Sequence, residues 1–167
     1  MKGLSKKEIE IIAELEFKKK YYFNIEEIKS HFKNKKQIVN TIYNLKKKGR
    51  IIRLNRNKYF LVPIKAKSGK WTDNPEIIAD EICNGKEYYI GGWFAANYWG
   101  LTEQIPMQLD IWTTKRQGKI KLLNIRMMFH RTTNKDIKKK GTTEKISNHE
   151  FKVMNKEYSK RWIKLRQ

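Results

Sequence analysis

The stretch Asn34-Lys35-Lys36-Gln37-Ile38-Val39-Asn40-Thr41-Ile42-Tyr43-Asn44-Leu45-Lys46-Lys47-Lys48-Gly49 decides how the first third of this 167-residue chain is read. Asn34 and Gln37 have the N-cap and N3 spacing of a capping box, in which each side chain satisfies a free amide of the first helical turn. Ile38, Ile42 and Leu45 then recur at i, i+4 and i+7, one face of a 3.6-residue period. Three lysines complement the negative helix end, and Gly49 supplies a left-handed stop. The spacing predicts a helix over 35–48. Its opposite face carries Lys36, Gln37, Asn40, Tyr43, Asn44 and Lys47, and no acidic residue interrupts it.

Upstream, the same start signal occurs twice. Ser5-Lys6-Lys7-Glu8 is a capping box with Leu4 and Ile9 at the staple positions, followed by Ile9, Ile12 and Leu15 with Ile11 beside them, so a helix over 5–18 is expected. Asn24-Ile25-Glu26-Glu27, stapled by Phe23 and Ile28, starts a short helix ending near Phe32. Only Lys33 separates it from the next cap, a spacing that predicts a helix-turn-helix. Downstream, 50–54 and 58–62 read as two strands around Asn55-Arg56-Asn57, asparagine being tolerant of the positive φ of tight hairpins. Three helices and a basic hairpin predict a winged helix-turn-helix over 1–64. Lys65 to Lys70 reads as a linker, and 71–167 as a small α+β domain, making the chain α+β overall.

Such a helix fits the DNA major groove, where Asn and Gln amides pair with adenine and lysines approach guanine or phosphate. Asn40, Thr41 and Asn44 are the candidates for base reading, with Gln37 restricted by its own cap. Lys35, Lys36 and Lys47 are expected on phosphates, and Arg53, Arg56, Asn57 and Lys58 on the wing.

Charge agrees with a nucleic-acid partner. Lys and Arg number 38 against 17 Asp and Glu, a net +21. The excess sits at the two ends, and the middle is slightly acidic. Apolar residues at 39%, with 12% aromatics, exclude a disordered basic tail. Cys83 is the single cysteine, which excludes an internal disulfide and a thiolate zinc cluster. The charge-free stretch between Glu87 and Glu103 is too short and polar for a bilayer, and the first residues lack the apolar run of a secretory signal, so the cytoplasm is the expected location.

In the middle, Asp73-Asn74-Pro75-Glu76 opens a helix, Tyr88-Tyr89-Ile90 a strand, and Gly91-Gly92 leads into Trp93-Phe94-Ala95-Ala96-Asn97-Tyr98-Trp99, which reads as a buried helix. Further strands are expected at 107–113 and within 120–129. The glycine pair fits neither a dinucleotide fingerprint nor a P-loop, so close packing at a sharp turn is the preferred explanation. Glu103, Asp110 and Lys115 only loosely suggest a nuclease metal site, and His31, His130 and His149 are solitary. No catalytic set can be assembled, and no metal or cofactor is expected.

Leu45-Lys46-Lys47-Lys48-Gly49-Arg50-Ile51-Ile52-Arg53, then Tyr59-Phe60-Leu61-Val62-Pro63, then Tyr88-Tyr89-Ile90-Gly91-Gly92-Trp93-Phe94-Ala95-Ala96-Asn97-Tyr98-Trp99-Gly100-Leu101-Thr102-Glu103-Gln104 resembles the AbiEi-type antitoxin family of transcriptional regulators over roughly residues 1 to 130. The resemblance implies an N-terminal winged helix that represses its own operon, and a C-terminal domain that counteracts a nucleotidyltransferase toxin in phage defence. The expected partners are double-stranded DNA with operator repeats, such a toxin, and a second copy of the chain. Two rivals remain at this point, a metal-dependent nuclease guided by the same N-terminal unit and a basic protein-interaction module.

Overall fold

The computed structural model describes residues 3–64, 66, 74–122 and 124–166. The expected linker residues Lys65 and Lys67 to Lys70, and Asp73 of the expected helix start, lie outside them. The chain is α+β and divides into two compact units, Met1–Trp71 and Thr72–Gln167.

In the first unit α1 spans Lys6–Phe17 from a complete capping box on Ser5 and Glu8. Its buried apolar residues are Ile11, Ile12 and Leu15. Ile9, expected on the buried stripe, is 48% exposed and forms no part of the core, because Ile11 and Ile12 turn that stripe away from it. In its place Glu8 is buried. Strand β1, Tyr22–Asn24, was not anticipated. Asn24 then caps α2, Ile25–Ile28, again with both arms of the box. The helix is shorter than expected and tightens into a 3-10 turn over Lys29–His31.

The third helix, α3, spans Lys35–Lys47 and buries Ile38, Ile42 and Leu45. Asn34 Oδ1 accepts from the Gln37 amide at 3.0 Å. The return arm differs from a capping box, because Gln37 Oε1 accepts from the Lys33 amide, at 3.1 Å, rather than from Asn34. At the other end Gly49, at φ +69°, donates to Lys46, and Arg50 donates to Leu45. These two bonds make a Schellman end that turns the chain sharply into β2.

Strands β2, Ile51–Arg53, and β3, Lys58–Leu61, pair antiparallel, and β1 adds on the far side of β3. Neither Asn55 nor Asn57 adopts a positive φ. The expectation is corrected: Asn55 closes the turn through its side chain, whose Oδ1 accepts from the amides of Asn57 and Lys58. One apolar cluster joins α1, α2, α3 and the sheet, with Phe23, Tyr59 and Leu61 from the strands packed against Ile12, Ile42 and Leu45 from the helices.

The second unit is built on a six-stranded mixed sheet of order β6-β7-β5-β4-β9-β8. Helix α4, Pro75–Cys83, precedes β4, Tyr88–Gly91, and α5, Gly92–Tyr98, follows it. β5, Leu109–Thr113, alternates as expected, burying Leu109, Ile111 and Thr113. β6, Gly118–Leu122, and β7, Ile125–Arg131, complete one side. The last part of the chain supplies α6, Asn134–Lys140, β8, Gly141–Ile146, β9, His149–Met154, and α7, Lys156–Lys164.

The Gly91-Gly92 step is a packing device. A Cβ on Gly91 would lie 2.5 Å from the Trp112 ring, and Gly92 has φ +62° beside Asp110. Helix α5 is not the buried aromatic helix that was expected. Ala95 and Ala96 are its fully buried side chains, while Trp93, Phe94 and Trp99 are half-buried and Tyr98 is exposed. Small residues face inward so that the helix can approach the sheet.

Candidate nucleic-acid interface

Residues 34–64, which form α3 and the hairpin, contain nine basic and no acidic side chains. Lys35, Lys36, Gln37, Asn40, Asn44 and Lys47 are exposed on α3, and Thr41 is half-buried at the edge of that face. Two apolar side chains stand among them, Val39 at 55% and Tyr43 at 62% exposure. The wheel had placed Tyr43 on this face, whereas Val39 had been passed over. Lys35, Lys36 and Lys47 form no ion pair among the described residues.

The six carboxylates of the unit all lie on α1 and α2, and each is engaged. Glu10 pairs with Lys7 and Glu26 with Lys29, both at 3.3 Å. Glu14 meets Lys18 and His31, and the Lys18 ammonium, ahead of His31, holds its carboxyl below the ordinary value. Glu16 accepts from the Ile64 amide at 2.6 Å. Burial pushes Glu27 up, but Lys20 at 2.7 Å and the Asn24 amide outweigh it.

Glu8 carries the most buried of these links. Its side chain is buried, and Lys48 Nζ lies 2.6 Å away across forty residues of sequence. Burial alone would raise the Glu8 carboxyl. The Lys48 ammonium and the Ser5 amide and hydroxyl overcome that and leave it lowered. The first turn of α1 is thereby tied to the end of α3, fixing the helix without using any side chain of its exposed face.

On the hairpin, Arg56 and Asn57 are exposed at the tip and Lys58 is half-buried at its base. Arg53 behaves differently. Its guanidinium folds back on its own turn, donating from Nε to the Asn55 carbonyl at 2.9 Å and from Nη2 to that of Arg56 at 3.1 Å. It stiffens the tip rather than reaching outward. The sequence had not distinguished it from Arg56.

The second unit brings together pairs that the sequence left apart. His130 Nε2 lies 2.8 Å from Asp110 and stacks on Trp112, which stacks in turn on Tyr89. His149 lies 3.0 Å from Asp80, which also accepts from the Tyr88 hydroxyl at 2.7 Å. Lys115 pairs with Glu87, and Glu103 is exposed, so these contacts do not draw Glu103, Asp110 and Lys115 together. Among the described residues no three His, Cys, Asp or Glu side chains gather to hold a metal ion. Burial, followed by the Asp80 charge, pushes the Cys83 thiol up to about 12, where it has no nucleophilic character.

Among the described residues no helix is long and apolar enough to cross a membrane. No protein of curated function matches this chain. A family model described as a family of unknown function, DUF6088, matches residues 11–164, which takes in most of both units. The chain therefore belongs to the DUF6088 family.

Proposed function

We propose that this protein is a DNA-binding transcriptional repressor whose first unit is a winged helix-turn-helix, with α3 as the helix that enters the major groove. The observation that carries the reading is the exposed face of α3, free of acid and ion pairs, on a unit whose six carboxylates are all engaged on α1 and α2. A polyanion meets donors there and no repelling charge. The short turn from α2 to α3 and the antiparallel hairpin that follows support the same assignment.

Asn40, Thr41 and Asn44 read base edges in this proposal, with Gln37 held back by its bond to the Lys33 amide. Lys35, Lys36 and Lys47 hold phosphates. The wing contributes Arg56, Asn57 and Lys58, stiffened by Arg53. The second unit acts as the antitoxin half of an AbiEi-type module, counteracting a nucleotidyltransferase toxin made beside it in the cytoplasm, and two copies bind paired operator repeats.

The test is fluorescence anisotropy with duplex DNA from immediately upstream of the protein's own reading frame, over a salt series. With about five phosphate contacts per copy, the log–log slope is expected near −4 to −5, so that affinity falls by about two and a half to three decades between 50 and 200 mM salt. Absence of duplex binding at low salt, or an affinity indifferent to salt, overturns the proposal. Co-expression with the neighbouring toxin then tests neutralisation.

A further inference from the structure

The second unit has a cationic surface of its own, on the helices that close the chain. Tyr158, Arg161, Trp162 and Leu165 follow one another at i, i+3, i+4 and i+7, and together with Tyr89 and Trp112 of the sheet they line a cleft of about 340 Å³. The opposite side of α7, Ser159 and Ile163, is its buried side. Here a helix with a satisfied core face shows a second, aromatic stripe toward an open cleft, and Leu165 at its end is 82% exposed.

Cations border the aromatic walls. Arg166 lies 4.1 Å from the centre of the Trp162 ring, and Arg161 and Lys139 lie 5.4 and 6.0 Å from that of Tyr158. None of these three forms an ion pair among the described residues, whereas Lys140 beside them is matched with Asp136 at 3.0 Å. The charge is thus left for an external anion. Flat guanidinium planes laid over aromatic rings form surfaces on which a further ring can stack.

We propose that this cleft binds single-stranded nucleic acid, seating a base against the Tyr158 and Trp162 walls while Lys139, Arg161 and Arg166 hold the flanking phosphates. Both halves of the lining have a use in such a ligand, since unpaired bases offer aromatic faces and the chain between them offers regular negative charge. A duplex turns its base faces into its own stack and leaves the aromatic lining unused. An acidic peptide meets the cations but has no ring to place at each step. The site is independent of α3, so either assignment can fail without the other.

The experiment uses the full chain carrying Lys36→Glu and Lys47→Glu on α3, so that duplex binding there is suppressed. A short labelled oligothymidylate is titrated in anisotropy, beside an abasic deoxyribose-phosphate strand of equal length, an equal-length duplex, and polyglutamate as competitor. The oligothymidylate is expected to bind, the abasic strand about tenfold more weakly, and Arg161→Glu to lower oligothymidylate affinity by about tenfold. Arg161 is exposed, so the change leaves the fold intact. No binding of the oligothymidylate, equal affinity for the abasic strand or the duplex, displacement by polyglutamate at equal charge, or indifference to Arg161→Glu would each overturn the proposal.

Discussion

Lys48 Nζ lies 2.6 Å from the buried carboxylate of Glu8, and this single ion pair joins the start of α1 to the end of α3. Lys48→Ala leaves the carboxylate buried with only the Ser5 groups to satisfy it. The loss is expected to be about 2 to 3 kcal/mol, between that of an unsatisfied polar group and that of a fully buried broken pair. Urea melts of the purified protein measure it.

The same pair fixes a pH dependence. Because the folded Glu8 carboxyl is held below its ordinary value, its contribution to stability is complete above the unfolded value and disappears as pH falls through the lower folded one. In Lys48→Ala, burial acts with less opposition and the carboxyl takes up its proton at higher pH. Melts repeated between neutral and acid pH should show the wild type losing stability faster than the variant as the pH drops. Parallel curves would show that Glu8 is not coupled to Lys48.

Division of labour along α3 is open to a direct comparison. Asn40→Ala or Asn44→Ala should reduce discrimination between operator and random duplex by about 1 to 3 kcal/mol per paired base contact. Lys36→Ala should weaken binding to both duplexes alike. Equal losses on both duplexes from all three variants would contradict the assignment.

On the proposed reading, Val39 extends the base-reading surface. It is an exposed β-branched residue on a helix that already has a complete buried face, and it sits one residue before Asn40. A thymine methyl is its natural partner in the groove. Replacing operator thymines by uracil, which removes only that methyl, should cost wild-type binding about 0.5 to 1 kcal/mol at the contacted position, and Val39→Ala nothing further. A uracil effect of equal size in both proteins places the methyl elsewhere.

In the second unit, Gly91→Ala sets a methyl group 2.5 Å from the Trp112 ring and 2.9 Å from the Met154 side chain. Trp112 is held between Tyr89 and His130 and has little room to yield. The overpacking should lower stability by about 1 to 3 kcal/mol in thermal or urea melts. A neutral result would mean that the Trp112 column shifts as a body.

What could be read from the sequence was mostly local. The caps at Ser5, Asn24 and Asn34, the Gly49 stop, and the Ile38, Ile42 and Leu45 stripe each depend on residues within one or two turns, and all recur in the structure. What escaped depends on distant partners. Tyr22 becomes part of a strand only by pairing with Phe60. Glu8 looks like an ordinary solvated capping residue until Lys48 comes beside it. His130 and His149 are solitary along the chain, with carboxylates 20 and 69 residues away. The candidate face on α3 was legible because helical period alone assigns its side. The inward fold of Arg53 was not, since nothing in its neighbours separates a guanidinium that binds its own turn from one that reaches out.

With its six carboxylates confined to α1 and α2, and nine cations gathered on α3 and the hairpin, the first unit is electrically lopsided. A molecule of this kind feels a torque in the field of a polyanion before any contact is made. On the proposed reading, this asymmetry within the first unit favours encounters made through α3, and the gain shows in the association rate more than in residence time. Added salt would therefore slow its capture as well as loosen its hold.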